Sequence, residues 1–214
     1  MSRKILLLGA GGHCKSVIDT LNSIGSFEDI GVVEKDKLVD SSFENIAGYD
    51  DDLSDLYNAG YEYAFVTLGS IGNPKNRINL LNKIMNIGFK IPNIIDPSAI
   101  VSNNIVMGYG NFIGKRAVIN TGTIIGNGVI VNTGSIVEHD CKLENFVHLA
   151  PGSILCGNVT ISENSHIGAG TVVKQNIMVG SNTIIGVGSV IINNISSNVI
   201  AYGNPCKEVK KNEG

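Results

Sequence analysis

From Val101 onward an aliphatic residue or Met recurs at every sixth position without a break, through Met107, Ile113, Val131, Leu149 and Ile167 to Ile191. The position after it is often Gly, as at Gly108, Gly114, Gly126, Gly168, Gly180 and Gly186. Four residues after the aliphatic one the side chain is usually small or β-branched, as at Ala117, Thr123, Ser135, Ser153, Thr171 and Ser189. A period of six matches neither a helix nor a long alternating strand. It fits short strands joined by tight turns, with the aliphatic residue inward, the small one near a corner, and Gly or Asn taking the turn. Three hexapeptides close one coil, so 101–196 predicts a three-faced parallel β-helix of a little over five coils. Neighbouring coils then lie about 4.8 Å apart, pair their backbones and bury a column of Ile, Val and Leu.

The chain before the repeat has a different rhythm. Residues 4–21 (KILLLGAGGHCKSVIDTL) read as an apolar strand, a Gly-rich turn and a helix with Val17, Ile18 and Leu21 on one face. Residues 30–34 and 63–68 read as two further strands. Residues 75–88 read as a helix that turns Ile78, Leu81, Ile84 and Met85 inward. Strand–helix alternation predicts a small parallel α/β domain. Pro92 and Pro97 punctuate its junction with the repeat, which places the domains at 1–96 and 97–214.

Composition narrows the class. Hydrophobic residues make up 43% and charged ones 16%, which excludes a disordered chain. Sixteen basic against nineteen acidic residues give a net charge of −3, too little positive charge for a nucleic-acid partner. The apolar run Ile5–Ala10 is too short for a membrane helix or an ordinary signal peptide, so a cytoplasmic protein without a membrane partner is expected. The four cysteines form no C-x-x-C pair and are expected as free thiols.

The turn Gly9-Ala10-Gly11-Gly12-His13-Cys14 nearly matches G-x-G-x-x-G and lets backbone N–H groups and a helix N-terminus approach an anion. Glu34 and Asp36 end the second strand, where an acid commonly meets a ribose or base. Within the repeat, His139 stands between Glu138 and Asp140. A carboxylate on one ring nitrogen fixes the tautomer and raises the basicity of the other, which suits a general base. Either neighbour can supply that carboxylate. His148 lies nine residues on, and His166 stacks one coil beyond His148. Those spacings, with no H-x-x-x-x-H, argue against the zinc site some hexapeptide proteins carry, and no metal is expected.

The GAGGH turn, NTGSIVEHD, HLAPGSILCGNV and the closing YGNPCK together resemble, end to end, the sugar acyltransferases comprising sialic-acid O-acetyltransferases and UDP-amino-sugar N-acetyltransferases. The resemblance implies a Rossmann-like N-terminal domain, a left-handed β-helix, and a homotrimer with each active site between two subunits. It implies acetyl-CoA as co-substrate. His139 is then the catalytic base supported by Asp140. His148 contacts the acyl carbonyl near the N–H of Gly157, and Ala169 and Val187 contact CoA. Asn132 lies near the acceptor. Gly11, Gly12, His13, Glu34, Lys35, Gly69 and Arg77, with Asp36 beside them, hold the nucleotide sugar. The implied reaction is direct acetyl transfer to the 4-amine of a UDP-linked 4-amino-4,6-dideoxy sugar in bacterial glycan biosynthesis. A sialic-acid O-acetyltransferase is the nearest alternative, and a non-catalytic nucleotide-sugar binding protein the alternative of another class.

Overall fold

A computed structural model describes residues 3–35, 43 and 46–213. The chain forms two compact units, one of Met1–Gly69 with Lys75–Pro97, the other of Ser70–Pro74 with Ser98–Gly214.

In the first unit β1 (Lys4–Leu8), β2 (Asp29–Glu34), β3 (Ile46–Tyr49) and β4 (Tyr63–Val66) form a parallel sheet in the order β3-β2-β1-β4. Ile5 to Leu8 on the inner strand β1 are fully buried, as a strand covered on both faces requires. The helix α1 (Gly12–Ile24) buries Cys14, Val17 and Leu21, and stops where Gly25 turns left-handed. Thr20 Oγ1 donates to the buried Asp96 carboxylate at 2.7 Å, fastening α1 to the end of the unit. Two elements escape the sequence pattern: β3, and α2 (Leu53–Asn58) with the single 3-10 turn Asp50–Asp52 before it. Both are too short to show a period. The third expected strand holds only at Tyr63–Val66.

The helix α3 (Lys75–Ile87) lies where expected, but its phase differs. The inner stripe is Arg77, Leu81 and Ile84, while Met85 is 40% exposed. Positions 77, 81 and 84 keep the i, i+4, i+7 spacing, so the polar Arg77 occupies the place that hydrophobicity alone gave to Met85.

The second unit is the β-helix. Its two-residue strands stack into three parallel faces. One runs from Ile100–Val101 to Val190–Ile191 and a second from Val106–Met107 to Met178–Val179. The third runs from Phe112–Ile113 to Ile184–Ile185, is extended by Val199–Gly203, and is closed by the antiparallel Cys206–Lys211. The inward column is buried from Ile113 to Ile191, and only Val101 and Met107 in its first coil are half-buried. The small residues at the fourth step, such as Ala117, Ser135 and Thr171, are fully buried at the corners.

The turns differ from the sequence expectation in one respect. The left-handed residue is the third after the aliphatic one, and it recurs every six residues through Gly134, Asp140, Asn158 and Asn176. The glycines directly after the aliphatic residue serve another purpose. A Cβ on Gly168 would sit 2.6 Å from the backbone of Gly186, so those positions stay bare to let coils approach.

Candidate functional site

In the first unit, Gly9 turns at φ +104 and a Cβ there would strike Leu68. Thr67 Oγ1 donates to both Leu8 O (2.9 Å) and Gly9 O (2.7 Å), pinning that turn to the end of β4. Gly11 precedes α1 and Gly12 opens it, and both have open space above them. Glu34 Oε2 accepts from Ala10 N at 3.3 Å and Oε1 from Lys35 N at 2.9 Å. The acid thus ties the end of β2 to the Gly-rich turn. A cavity of about 350 Å³ opens here, lined by Gly9, Glu34, Lys35, Asp50, Asn76 and Asn79. Burial foremost raises the Asp50 pKa above the usual carboxylate value.

Of the other residues expected here, Gly69 sits against His13, whose Cβ would lie 4.0 Å from a Cβ on Gly69. Burial, then the charge of Arg77, lowers the His13 pKa to about 4. Arg77 itself is 4% exposed and does not line the cavity; burial lowers its pKa to about 10. Its place on the inner stripe of α3 gives it to the core beside His13, and Asn76 and Asn79 face the cavity instead. Asp36 lies outside the described residues. Asp50, Asn76 and Asn79 had no motif to announce them.

In the second unit the candidate residues separate into two groups. His139 stands at the corner after the strand Ile136–Val137. The next residue, Asp140, is left-handed at φ 59, and its Oδ2 accepts from His139 Nδ1 at 2.9 Å. Glu138 points elsewhere, accepting from Asn120 Nδ2 at 2.9 Å. The carboxylate supporting His139 is therefore that of Asp140. With the hydrogen on Nδ1, Nε2 carries the lone pair. Nε2 lies over Gly157, one coil beyond, where a Cβ would come within 2.5 Å of it. Gly157 is thus the room the imidazole occupies.

The second group lines another cavity of about 350 Å³, which brings together Asn132, His148, Ala169 and Val187 with Ile71 and His166. His148 and His166 are strand residues paired in register, not corner residues, because each begins its two-residue strand. Their rings meet edge-on with centroids 4.8 Å apart. His148 Nδ1 donates to the Ser70 carbonyl at 2.9 Å. Ile71 is 79% exposed. The eighteen-residue spacing of the two histidines was visible in the sequence; the Ser70–Pro74 segment that adds Ser70 and Ile71 was not.

The cysteines are free, and Cys141 Sγ donates to Cys156 O at 3.2 Å. Burial pushes the Cys141 thiol up to about 11, far from a reactive thiolate. Among the described residues no group of three or more His, Cys, Asp or Glu could hold a metal ion, and no helix is long and apolar enough to cross a membrane.

Residues 4–84 match the family described as the PglD N-terminal domain. A histidine-to-asparagine variant of perosamine N-acetyltransferase from Caulobacter crescentus, solved with CoA and GDP-perosamine, is 32% identical with a TM-score of 0.91 over 97% of each chain. The acetyltransferase domain of PglB from Neisseria gonorrhoeae, solved with acetyl coenzyme A, is 34% identical with a TM-score of 0.86, over 98% of this chain and 100% of that one. WeeI from Acinetobacter baumannii, 21% identical, shares the fold with a TM-score of 0.85 over 97% of this chain and 100% of its own. No curated protein sequence matches. The α/β unit with its Gly-rich turn, the left-handed parallel β-helix and these likenesses agree: the chain belongs to the hexapeptide-repeat sugar acetyltransferases.

Proposed function

We propose that the protein transfers the acetyl group of acetyl-CoA to the 4-amine of a nucleotide-linked 4-amino sugar. The observation that carries this reading is the corner dyad: His139 Nδ1 is held by Asp140 at 2.9 Å while Nε2 lies over Gly157. The amine nitrogen attacks the thioester carbonyl and gives its proton to His139 Nε2. The C–S bond breaks, and the departing CoA sulfur takes that proton. The N–H of Gly157, which donates to no group among the described residues, is suited to the oxyanion that forms on the way. The nucleotide sugar occupies the cavity of the first unit, with its phosphates toward the open N-terminus of α1 and its ribose toward Glu34. The perosamine N-acetyltransferase solved with CoA and GDP-perosamine supports both the acyl donor and the kind of acceptor.

The working unit in this reading is a homotrimer. In one chain the His139 corner and the His148 cavity lie at opposite edges of the first face. The outward side of that face is aliphatic in every coil: Ile100, Val118, Ile136, Ile154, Val172 and Val190. A second copy packed on this strip sets the base of one chain beside the cavity of the next, and buries the strip.

The test is CoA thiol release from acetyl-CoA with UDP-linked and GDP-linked 4-amino-4,6-dideoxy sugars and with sialic acid. Turnover with either nucleotide sugar supports the reading and identifies the nucleotide. Turnover with sialic acid alone makes the enzyme an O-acetyltransferase, and silence with all three rejects acetyl transfer to these sugars.

A further inference from the structure

The outward residues of the third face read Phe112, Ile130, His148, His166, Ile184 and Ile200 from one coil to the next. Two imidazoles interrupt a column that is otherwise apolar. The segment Ser70–Pro74 crosses here: Ser70 O holds His148 Nδ1, and Gly72 lies so close that a Cβ would meet Ile184 Cδ1 at 2.7 Å. Beside it the cavity is walled largely by Ile71, Ala150, Ile184 and Val187. A slender, mostly apolar arm fits such a wall, and the polar atoms in it decide what that arm must carry.

His148 has given its hydrogen to Ser70. A backbone carbonyl only accepts, so Nδ1 is the protonated nitrogen, and in a neutral ring Nε2 is an acceptor. In that tautomer the His148 hydrogen is committed to Ser70. His166 is the other candidate. It is 7% exposed, and burial lowers its pKa to about 4, so the ring is neutral and carries one hydrogen. Its Nδ1 is shut off from solvent and makes no hydrogen bond among the described residues. An orphaned N–H is rarer and costlier than an orphaned lone pair. The hydrogen therefore belongs on Nε2, the nitrogen that is not sealed in. A ring with such an orphan, in a column where Ile or Phe would pack without one, needs a reason to be histidine.

Resting on the acetyl-transfer reading, we propose that His166 is a contact residue for the acyl donor, its Nε2–H donating to a carbonyl of the pantetheine arm, with His148 standing edge-on as the support that fixes its ring.

Calorimetric titration of the protein with CoA, alongside acetyl-CoA kinetics, tests this. His166→Phe keeps a flat ring against His148 and removes the donor. It is expected to raise the Kd for CoA and the KM for acetyl-CoA about tenfold, the loss of one hydrogen bond, with kcat and the acceptor KM within twofold. His166→Gln, which restores an N–H donor, is expected to recover most of the affinity. Wild-type protein that binds CoA together with a folded His166→Phe that binds it equally well overturns the proposal and leaves the acetyl-transfer reading standing. Wild-type protein that binds no CoA removes both. Long-range ¹⁵N–¹H spectra of the four histidines keep the test independent of the variants' folding. His166 is expected as the Nε2–H tautomer, with its signals moving when CoA is added; an Nδ1–H tautomer refutes the assignment.

Discussion

Gly157→Ala isolates the position of the proposed base from its identity. The three atoms nearest a new Cβ all belong to the His139 ring, with Nε2 at 2.5 Å, Cε1 at 2.6 Å and Cδ2 at 3.2 Å. Ordinary carbon contact begins near 3.5 Å, so the ring must withdraw by about 1 Å. It can do so, since the His139 side chain is 59% exposed at a corner. The backbone bears no strain, because Gly157 is not among the residues with positive φ. Replacing Gly by Ala at such a site also restricts the unfolded chain, which stabilises by about 0.4–1 kcal/mol. The melting temperature is thus expected to hold or rise slightly. Catalysis is expected to fall about a hundredfold, the cost of misplacing a reacting group by roughly 1 Å. The assay is CoA thiol release under saturating acetyl-CoA and acceptor, paired with a thermal melt. Turnover within threefold of wild type, in a protein of unchanged melting temperature, would refute the claim that His139 works from its place over Gly157.

Three further outcomes follow from the same geometry. Asp140→Asn removes the charge from the hydrogen bond to His139 Nδ1, and should lower kcat about tenfold with the acetyl-CoA KM unchanged, since the pair is solvent-screened; a change under twofold in steady-state kinetics would dismiss Asp140 as the support. Ile154→Lys places a charge in the middle of the aliphatic strip and should yield folded single copies without turnover, read by light scattering and circular dichroism; an assembly of unchanged mass would reject the strip as the interface. Acid should destabilise the fold through His13 and His166, whose pKa values fall from 6.5 to about 4 on folding. Below pH 6.5 the unfolded chain takes up protons that these rings refuse until about pH 4, so their contribution is complete above 6.5 and is lost as the pH drops through that window. For His166 the full difference is about 3 kcal/mol. Denaturant unfolding between pH 7 and 5 should show the slope, and His166→Gln should flatten it; an identical slope in the variant would refute the assignment.

The β-helix is legible in the sequence because its physics is local. Each hexapeptide needs one inward aliphatic residue and one small corner residue, so Ile113 to Ile191 announce the whole stack. The dyad is legible for the same reason, since His139 and Asp140 are adjacent. The residues by themselves left Asp140 and Glu138 open, and only the resemblance named Asp140. The choice depends on the left-handed turn at Asp140 and on Asn120, one coil away, engaging Glu138. Short elements such as β3 carry too few residues to show a period, so the cavity residue Asp50 that follows it stayed hidden. Arg77, which the resemblance gave to the nucleotide sugar, lies on the buried stripe of α3, whose phase is set by packing. The sequence by itself determined the coil, its period and the neighbours along each strand, because these follow from contacts within a few residues. Only the tertiary structure decided that the His148 ring is held by a backbone carbonyl. That depends on Ser70, 78 residues from His148 in the chain, meeting His148 Nδ1, and no local pattern encodes a partner so distant.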